Sequence, residues 1–253
     1  MKANLPNFFA FKSANDLIRL GRDNDGGYLV SKADLERTNL LLGLGIDKDW
    51  SFEEDFRKKT NVKLIAYDGS VGFLSFLKIF VKLFLTLRLL QALKILKILI
   101  RFRIFFSSEK KIFKKSFIGN DDLLEKRNFE PLKNIFEENL QKNIFLKIDV
   151  EGSEYRFLDT LIKYQNNISG LVIEMHDCDL NLKKIENFIS KFELKLVHIH
   201  ANNDASLSNN FIPTVLELTF SRYCKFSEFN VLPHVLDMPN CKNKPEIDLV
   251  IND

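Results

Sequence analysis

Asn143-Ile-Phe-Leu-Lys-Ile-Asp-Val-Glu-Gly-Ser-Glu154 is the stretch that decides the fold. Residues 144–148 form an apolar run interrupted by one lysine, and the run breaks off in Asp149, Glu151 and Gly152. A helical pattern of apolar residues, Tyr155, Phe157, Leu158, Leu161 and Ile162, begins at once. A buried parallel strand delivers acidic groups to the carboxyl edge of an open α/β sheet in this way, and such edges carry the chemistry. Two carboxylates on neighbouring outward positions repel each other unless a cation, a proton or a substrate hydroxyl lies between them. Asp149 and Glu151 are therefore candidate site residues, whereas Glu154 reads as a charge at a helix N-terminus.

Upstream, Asn39-Leu-Leu-Leu-Gly-Leu-Gly-Ile-Asp47 is an apolar strand that breaks into Gly43-x-Gly45. A helix is expected next, with Ser51 as N-cap and Glu53 and Glu54 in its first turn. Residues 62–67 then read as a second strand ending in Asp68. Strand, glycine turn, helix and acid-tipped strand form a nucleotide-type βαβ unit: glycines admit the ligand to the backbone, and the acid accepts from a ribose diol. Earlier still, residues 1–20 read as a helix-rich lead-in. Asp25-Gly-Gly-Tyr28 serves either a ligand approach or a plain turn before a strand at residues 28–30.

Downstream, residues 116–122 suggest a short third strand and an acidic turn. Residues 168–177 form an apolar strand tipped by His176 and Asp177, and residues 180–192 an amphipathic helix. Residues 194–203 form a strand with His198 and His200 on one face. Residues 214–223 alternate as an antiparallel strand, and residues 246–251 form the last one. His176 and His200, beside Asp or Asn at strand ends, are candidate functional groups. His198 reads as an ordinary core histidine.

The chain has 253 residues, 45% hydrophobic and 28% charged, enough for one α/β domain, here residues 1–253 with an insertion. Its net charge of +3 is too small to argue for a nucleic-acid partner. Three cysteines without C-x-x-C spacing fit reduced thiols in a cytosol. The N-terminus lacks the apolar core of a signal peptide, so a cytoplasmic location is expected. The insertion, residues 73–106, contains no acid and seven cations, so the rest of the chain is net −4. Cations recur too often for a membrane-spanning helix. The segment is either a packing or homodimer-forming insert, its lysine stems covering apolar surface, or a helix lying on the inner, anionic face of a membrane.

Arg22-Asp-Asn-Asp-Gly-Gly-Tyr28, Leu42-Gly-Leu-Gly-Ile46, Leu146-Lys-Ile-Asp-Val-Glu-Gly-Ser-Glu154 and the His198-x-His-x-Asn-Asn203 stretch together resemble the FkbM-type methyltransferases. The resemblance spans most of residues 15–251 apart from residues 73–106. It implies a class I methyltransferase fold: an α/β, Rossmann-like, doubly wound and mostly parallel seven-stranded sheet with a helical insert between strands two and three. It also implies S-adenosylmethionine as cofactor and a sugar hydroxyl as acceptor, a nucleotide-linked sugar for bacterial capsule or lipopolysaccharide. By this resemblance Gly43 and Gly45 approach the cofactor, Asp68 with Gly69 holds its ribose, and Asn120, Asp121 and Asp122 border the adenine. Asp149 would lie near the sulfonium, with Asp25, Tyr28 and Asn202 on the substrate side. The usual D-x-G-x-x-x-G form is incomplete here, since no glycine follows Gly45 in that pattern.

A sugar hydroxyl needs a base or a metal ion to remove its proton. His200 or His176 is the candidate base. Alternatively Asp149, Glu151 and a histidine hold Mg²⁺ or Mn²⁺. Two other functions share these features: a nucleotide-dependent oxidoreductase, and a membrane-associated non-catalytic scaffold with a methyltransferase fold. Neither a Tyr-x-x-x-Lys motif nor a complete dinucleotide fingerprint supports the first, and intact acids and histidines at the strand tips count against the second.

Overall fold

The structure is a computed structural model that describes residues 1–119, 128–227, 230 and 232–252. The chain opens with β1 (Lys2–Leu5), then an antiparallel pair, β2 (Leu17–Leu20) and β3 (Tyr28–Ser31), and α1 (Lys32–Arg37). The first βαβ unit is β4 (Leu40–Leu44), α2 (Ser51–Thr60) and β5 (Lys63–Tyr67). The insertion forms a helical hairpin, α3 (Phe73–Leu85) and α4 (Leu89–Phe105), before β6 (Lys111–Lys114). After β7 (Phe117–Gly119), β8 (Phe129–Pro131) and α5 (Leu132–Glu137) come β9 (Ile144–Ile148) and α6 (Leu158–Lys163). The last elements are β10 (Ile168–Met175), α7 (Cys178–Lys191), β11 (Lys195–Ala201), β12 (Leu216–Ser221) and β13 (Asp248–Ile251).

Seven strands form the central sheet in the order β6–β5–β4–β9–β10–β12–β11. The neighbours from β6 through β10 pair in parallel, and β12 pairs antiparallel with both β10 and β11. Strand order reverses between β4 and β9, which makes the crevice beyond their carboxyl ends the topological switch point. The central strands are buried on both faces, as a parallel sheet covered by helices requires. On one face Leu42, Leu146, Leu171 and Ile173 pack with Leu132, Leu161 and Phe188 of α5, α6 and α7. On the other, Leu41, Phe145 and Val172 pack with Phe52 and Phe56 of α2 and, further out, with Trp50 and the base of the α3–α4 hairpin.

Three local expectations differ. Residues 1–20 contain β1, a single 3₁₀ turn (Asn7–Phe9) and β2 rather than a helix-rich lead-in. β1 alternates exposed and buried residues and pairs in parallel with β13, so the two ends of the chain hold each other. The third sheet strand is Lys111–Lys114, upstream of the expected segment, of which the structure describes residues 116–119; its two lysines disguise a strand that lies at the sheet edge beside β5. Phe117–Gly119 instead pairs with β8 in a separate ribbon. Ser51 begins α2 with Trp50 at the cap position, and the Ser51 amide donates to Asp49 Oδ1.

Candidate active site at the carboxyl edge

Gly43, Lys147, Val172 and Thr219 lie in one lateral row of the sheet, and the next row toward the carboxyl edge brings Glu174, Glu217 and His200 together. Asp149 follows Lys147 by two residues and so shares this face. The face is thus apolar at Leu41 and Phe145 and ionic two residues later. The β2–β3 hairpin covers it: the Thr219 hydroxyl donates to Leu29 O at 2.7 Å, and Tyr28 reaches Glu174 Oε2 at 3.0 Å and Asp149 Oδ2 at 3.4 Å.

Lys147 is the cation of this layer. Its Nζ donates to Gly45 O at 2.7 Å and lies 3.2 Å from Asp149 Oδ2. Burial works against its charge, but Asp149 and Glu53 outweigh burial and hold the ammonium pKa above its ordinary value. Glu53 of α2 lies over Gly43, where a Cβ would meet its Oε1 at 2.6 Å. Burial raises Glu53 to a pKa of about 7 against the pull of Lys147. Glu174 accepts from Tyr28 and from Asn202 Nδ2 at 3.0 Å, and burial beside Asp149 and Glu217 raises it to about 8.

The switch point is built by close approach. Gly45 has φ +79°, and a Cβ there would stand 1.7 Å from Asp149 O, so no other residue lets the ends of β4 and β9 meet. The loop after Gly45 is braced from β5. Asp68 Oδ2 accepts from the Ile46 and Asp47 amides, and Oδ1 accepts from the Ser70 amide and hydroxyl and the Val71 amide. Burial pushes the Asp68 carboxyl up, but the bonds from Ser70, Asp47 and Ile46 outweigh it and hold the pKa below the usual range. A carboxylate offers about four acceptor sites, so a ribose diol at Asp68 must displace internal donors. Gly69 fits under the Phe117 ring, 2.2 Å from the place of a Cβ. Asn120, Asp121 and Asp122 lie outside the described residues.

Beyond the crevice, one ligand atom each from Asp149, Glu151 and His176 falls within 4.8 Å of the others. His176 Nε2 is 3.6 Å from Glu151 Oε2, while Nδ1 is 2.9 Å from Glu154 Oε1. Glu154 is therefore not a solvated helix charge. It is fully buried, accepts from the Gly152 amide at 3.1 Å and aims the imidazole at the acids. The Tyr155 hydroxyl donates to His176 O at 2.6 Å and fixes the backbone on the same side. Glu151 and Asp177 both adopt positive φ, 53° and 48°; such backbone is costly for these residues and concentrates at functional sites. Burial disfavours a charged His176, but Glu154, with Glu174 and Asp149, raises its pKa to about 9.

His200 is not an open base at a strand tip. Its Nδ1 is 3.2 Å from Glu217 Oε2 and its Nε2 is 3.5 Å from Glu246 Oε2. Burial opposes its charge, but Glu217 dominates and raises its pKa to about 10. The space beside it, lined also by Leu232 and Asp237, is about 10 Å³, room for at most one water. His198 is buried with Nε2 2.9 Å from Asp237 Oδ1, as expected of a core histidine.

On the substrate side, Asn240 Nδ2 bridges Glu217 Oε1 at 2.7 Å and Asp25 Oδ1 at 3.2 Å, which ties the Asp25 loop to the edge. Gly26 and Gly27 pack against Asp49 Oδ2 and Arg22 O, and Arg22 pairs with Asp49 at 2.9 Å. The Asp25-Gly-Gly-Tyr28 stretch is thus a turn that clamps the loop after β4 and places Tyr28. A larger groove, about 520 Å³, is lined by Lys32, Glu36, Lys59 and Thr60 and contains none of these groups.

The strand order, with one antiparallel strand set next to the edge and the acids at the switch point, defines the class I methyltransferase fold. No family model matches the chain, and no curated protein matches it. Distant likenesses exist among solved structures. An rRNA methylase from Streptococcus thermophilus is 9% identical with a TM-score of 0.39, over 75% of this chain and 92% of that one. A precorrin-6y C5,15-methyltransferase from Geobacter metallireducens is 11% identical with a TM-score of 0.40, over 76% and 84%. Sp1610 of Streptococcus pneumoniae, in complex with S-adenosyl-L-methionine, is 12% identical with a TM-score of 0.39, over 80% and 76%. Likenesses of this strength carry no argument about chemistry or substrate.

Proposed function

We propose that this chain is an S-adenosylmethionine-dependent O-methyltransferase of the FkbM type. Its acceptor on this reading is a sugar hydroxyl, on a nucleotide-linked sugar destined for bacterial capsule or lipopolysaccharide. The observation that carries the reading is the Asp149–Glu151–His176 cluster, oriented by buried Glu154 and opening at the switch point beside Gly45.

S-adenosylmethionine supplies a methyl group activated on a sulfonium. Transfer breaks the S–CH₃ bond, forms an O–CH₃ bond and releases the hydroxyl proton. The chain must therefore hold the acceptor oxygen close and in line, and take up that proton. The Gly45 loop would face the cofactor, with its amides already ordered by Asp68. Tyr28 stays a phenol, because burial next to Asp149 and Glu174 raises its pKa well above 10. It is a hydrogen-bond donor that positions Asp149 rather than a base. Asp149, Glu151 and Nε2 of His176 suit Mn²⁺ or Mg²⁺ by donor type, and such an ion would supply Lewis-acid activation of the hydroxyl. With such an ion bound the hydroxyl proton would pass to solvent; without it a carboxylate of the cluster would take it up.

The test is calorimetric titration with S-adenosylhomocysteine and, separately, NAD(P)H, followed by methyl transfer to nucleotide sugars with Mn²⁺, Mg²⁺ or EDTA. Micromolar binding of S-adenosylhomocysteine alone and metal-stimulated transfer to a sugar are expected. Binding of NAD(P)H alone would favour an oxidoreductase, and binding of neither a scaffold. Transfer to RNA but not to sugars would overturn the acceptor. Activity indifferent to EDTA would remove the metal.

A further inference from the structure

Among the described residues the α3–α4 hairpin is joined to the body only at its base. Phe76, Leu99, Phe102 and Phe105 belong to the core around Trp50, with Phe102 edge-on to Trp50 at 5.6 Å. Arg101 is committed there as well, 3.5 Å from Glu54 Oε2 and 5.5 Å from the Trp50 ring centroid. The distal part has no such support. Phe84-Leu-Thr-Leu-Arg-Leu-Leu-Gln91 is exposed at every position. Leu85, Leu87 and Leu90 are 75%, 82% and 80% exposed. Twelve of the 21 exposed large apolar side chains among the described residues lie on this one hairpin. Soluble surfaces rarely concentrate apolar groups in this way without a partner.

The cations identify the partner. Lys78, Lys82, Arg88, Lys94 and Lys97 are all exposed and have no acidic partner among the described residues. Residues 73–106 contain no acid. A second copy of the same face is a poor occupant, because a two-fold pairing sets cations against cations with nothing to neutralise them. Exposed leucines interleaved with unpaired lysines match an anionic bilayer, where apolar groups enter the acyl boundary and ammonium groups meet the headgroups. No helix among the described residues is long and apolar enough to cross a membrane.

We propose that the α3–α4 hairpin is a membrane-docking element that inserts its Phe84–Leu90 tip into the surface of an anionic lipid bilayer. The proposal does not depend on the reaction proposed above, and its test uses no cofactor.

The full chain is floated with vesicles of phosphatidylcholine alone or with phosphatidylglycerol, at low and high salt. Binding is expected only to the anionic vesicles and is weakened by salt. Each of Lys78, Lys82, Lys94 and Lys97 replaced by Gln lowers binding about fivefold, which corresponds to about 1 kcal/mol per cation near an anionic surface. Leu87→Glu with Leu90→Glu abolishes it; both side chains are exposed, so the fold is retained, as circular dichroism would confirm. No flotation at low salt overturns the proposal. So does a dimer in light scattering that Leu90→Glu dissociates while vesicles capture nothing.

Discussion

Glu154 Oε1 lies 2.9 Å from His176 Nδ1, and the acid is fully buried while the far ring nitrogen faces Glu151. Carboxylates behind a ligating imidazole fix its ring orientation and raise its basicity. Glu154→Gln keeps the volume and a carbonyl acceptor but loses the charge. Mn²⁺ affinity, followed by electron paramagnetic resonance, is expected to fall about tenfold or more. An unchanged affinity in a folded variant would detach Glu154 from the site.

Gly45 and Gly43 separate two kinds of glycine requirement. At Gly45 a Cβ strikes the backbone oxygen of Asp149 at positive φ, and neither can move without parting β4 from β9. At Gly43 the obstacle is the Glu53 carboxylate, a side chain that can rotate. Gly45→Ala is therefore expected to cost several times the stability lost in Gly43→Ala, and to abolish S-adenosylhomocysteine binding. Urea midpoints and calorimetry decide, and equal losses would contradict the reading.

Lys147 offsets two acids, buried Glu53 and half-buried Asp149, from a side chain that is itself buried. Removing one partner of a buried charge set leaves the others uncompensated, at about 3–5 kcal/mol. Lys147→Met is expected to fall in that range. Glu53→Gln added to it should restore part of the loss, since the orphaned acid is then gone. A double-mutant cycle in urea should give a coupling of about 0.5–3 kcal/mol. Strict additivity would mean that Lys147 does not act on Glu53.

Much of this architecture is legible in the chain, for a physical reason. Runs that are mainly apolar on both faces, as in residues 40–44, 144–148 and 168–175, fit a covered parallel sheet, and their polar tips mark its edge. Asp149, Glu151 and His176 are visible because they end such runs. Glu174 and Glu217 are not, because alternation inside a strand reads as a solvent face when the loops and hairpin that bury it lie far away in sequence. The same blindness misreads His200, whose partners Glu217 and Glu246 come from 17 and 46 residues downstream. Lys147 is the signal that was available: a lone lysine inside a buried strand must have an acid to meet.

The ionic row makes stability depend on pH with a defined sign. His176 and His200 rise from 6.5 to about 9 and about 10, pulled up by Glu154 and Glu217 against burial. Glu174 and Glu53 rise from 4.5 to about 8 and about 7, both chiefly through burial. Every one of these groups holds its proton more tightly folded than unfolded. The stability they contribute is complete below their unfolded values and is lost as pH climbs through the folded ones, between about 4.5 and 10. Each net proton corresponds to about 1.4 kcal/mol per pH unit. The urea midpoint, measured in EDTA so that no metal replaces the proton on His176, should fall steadily from pH 6 to 9. His200→Gln should flatten that fall, since its ring titrates across the whole interval. A midpoint that rises with pH would mean that the row is not protonated as the geometry requires.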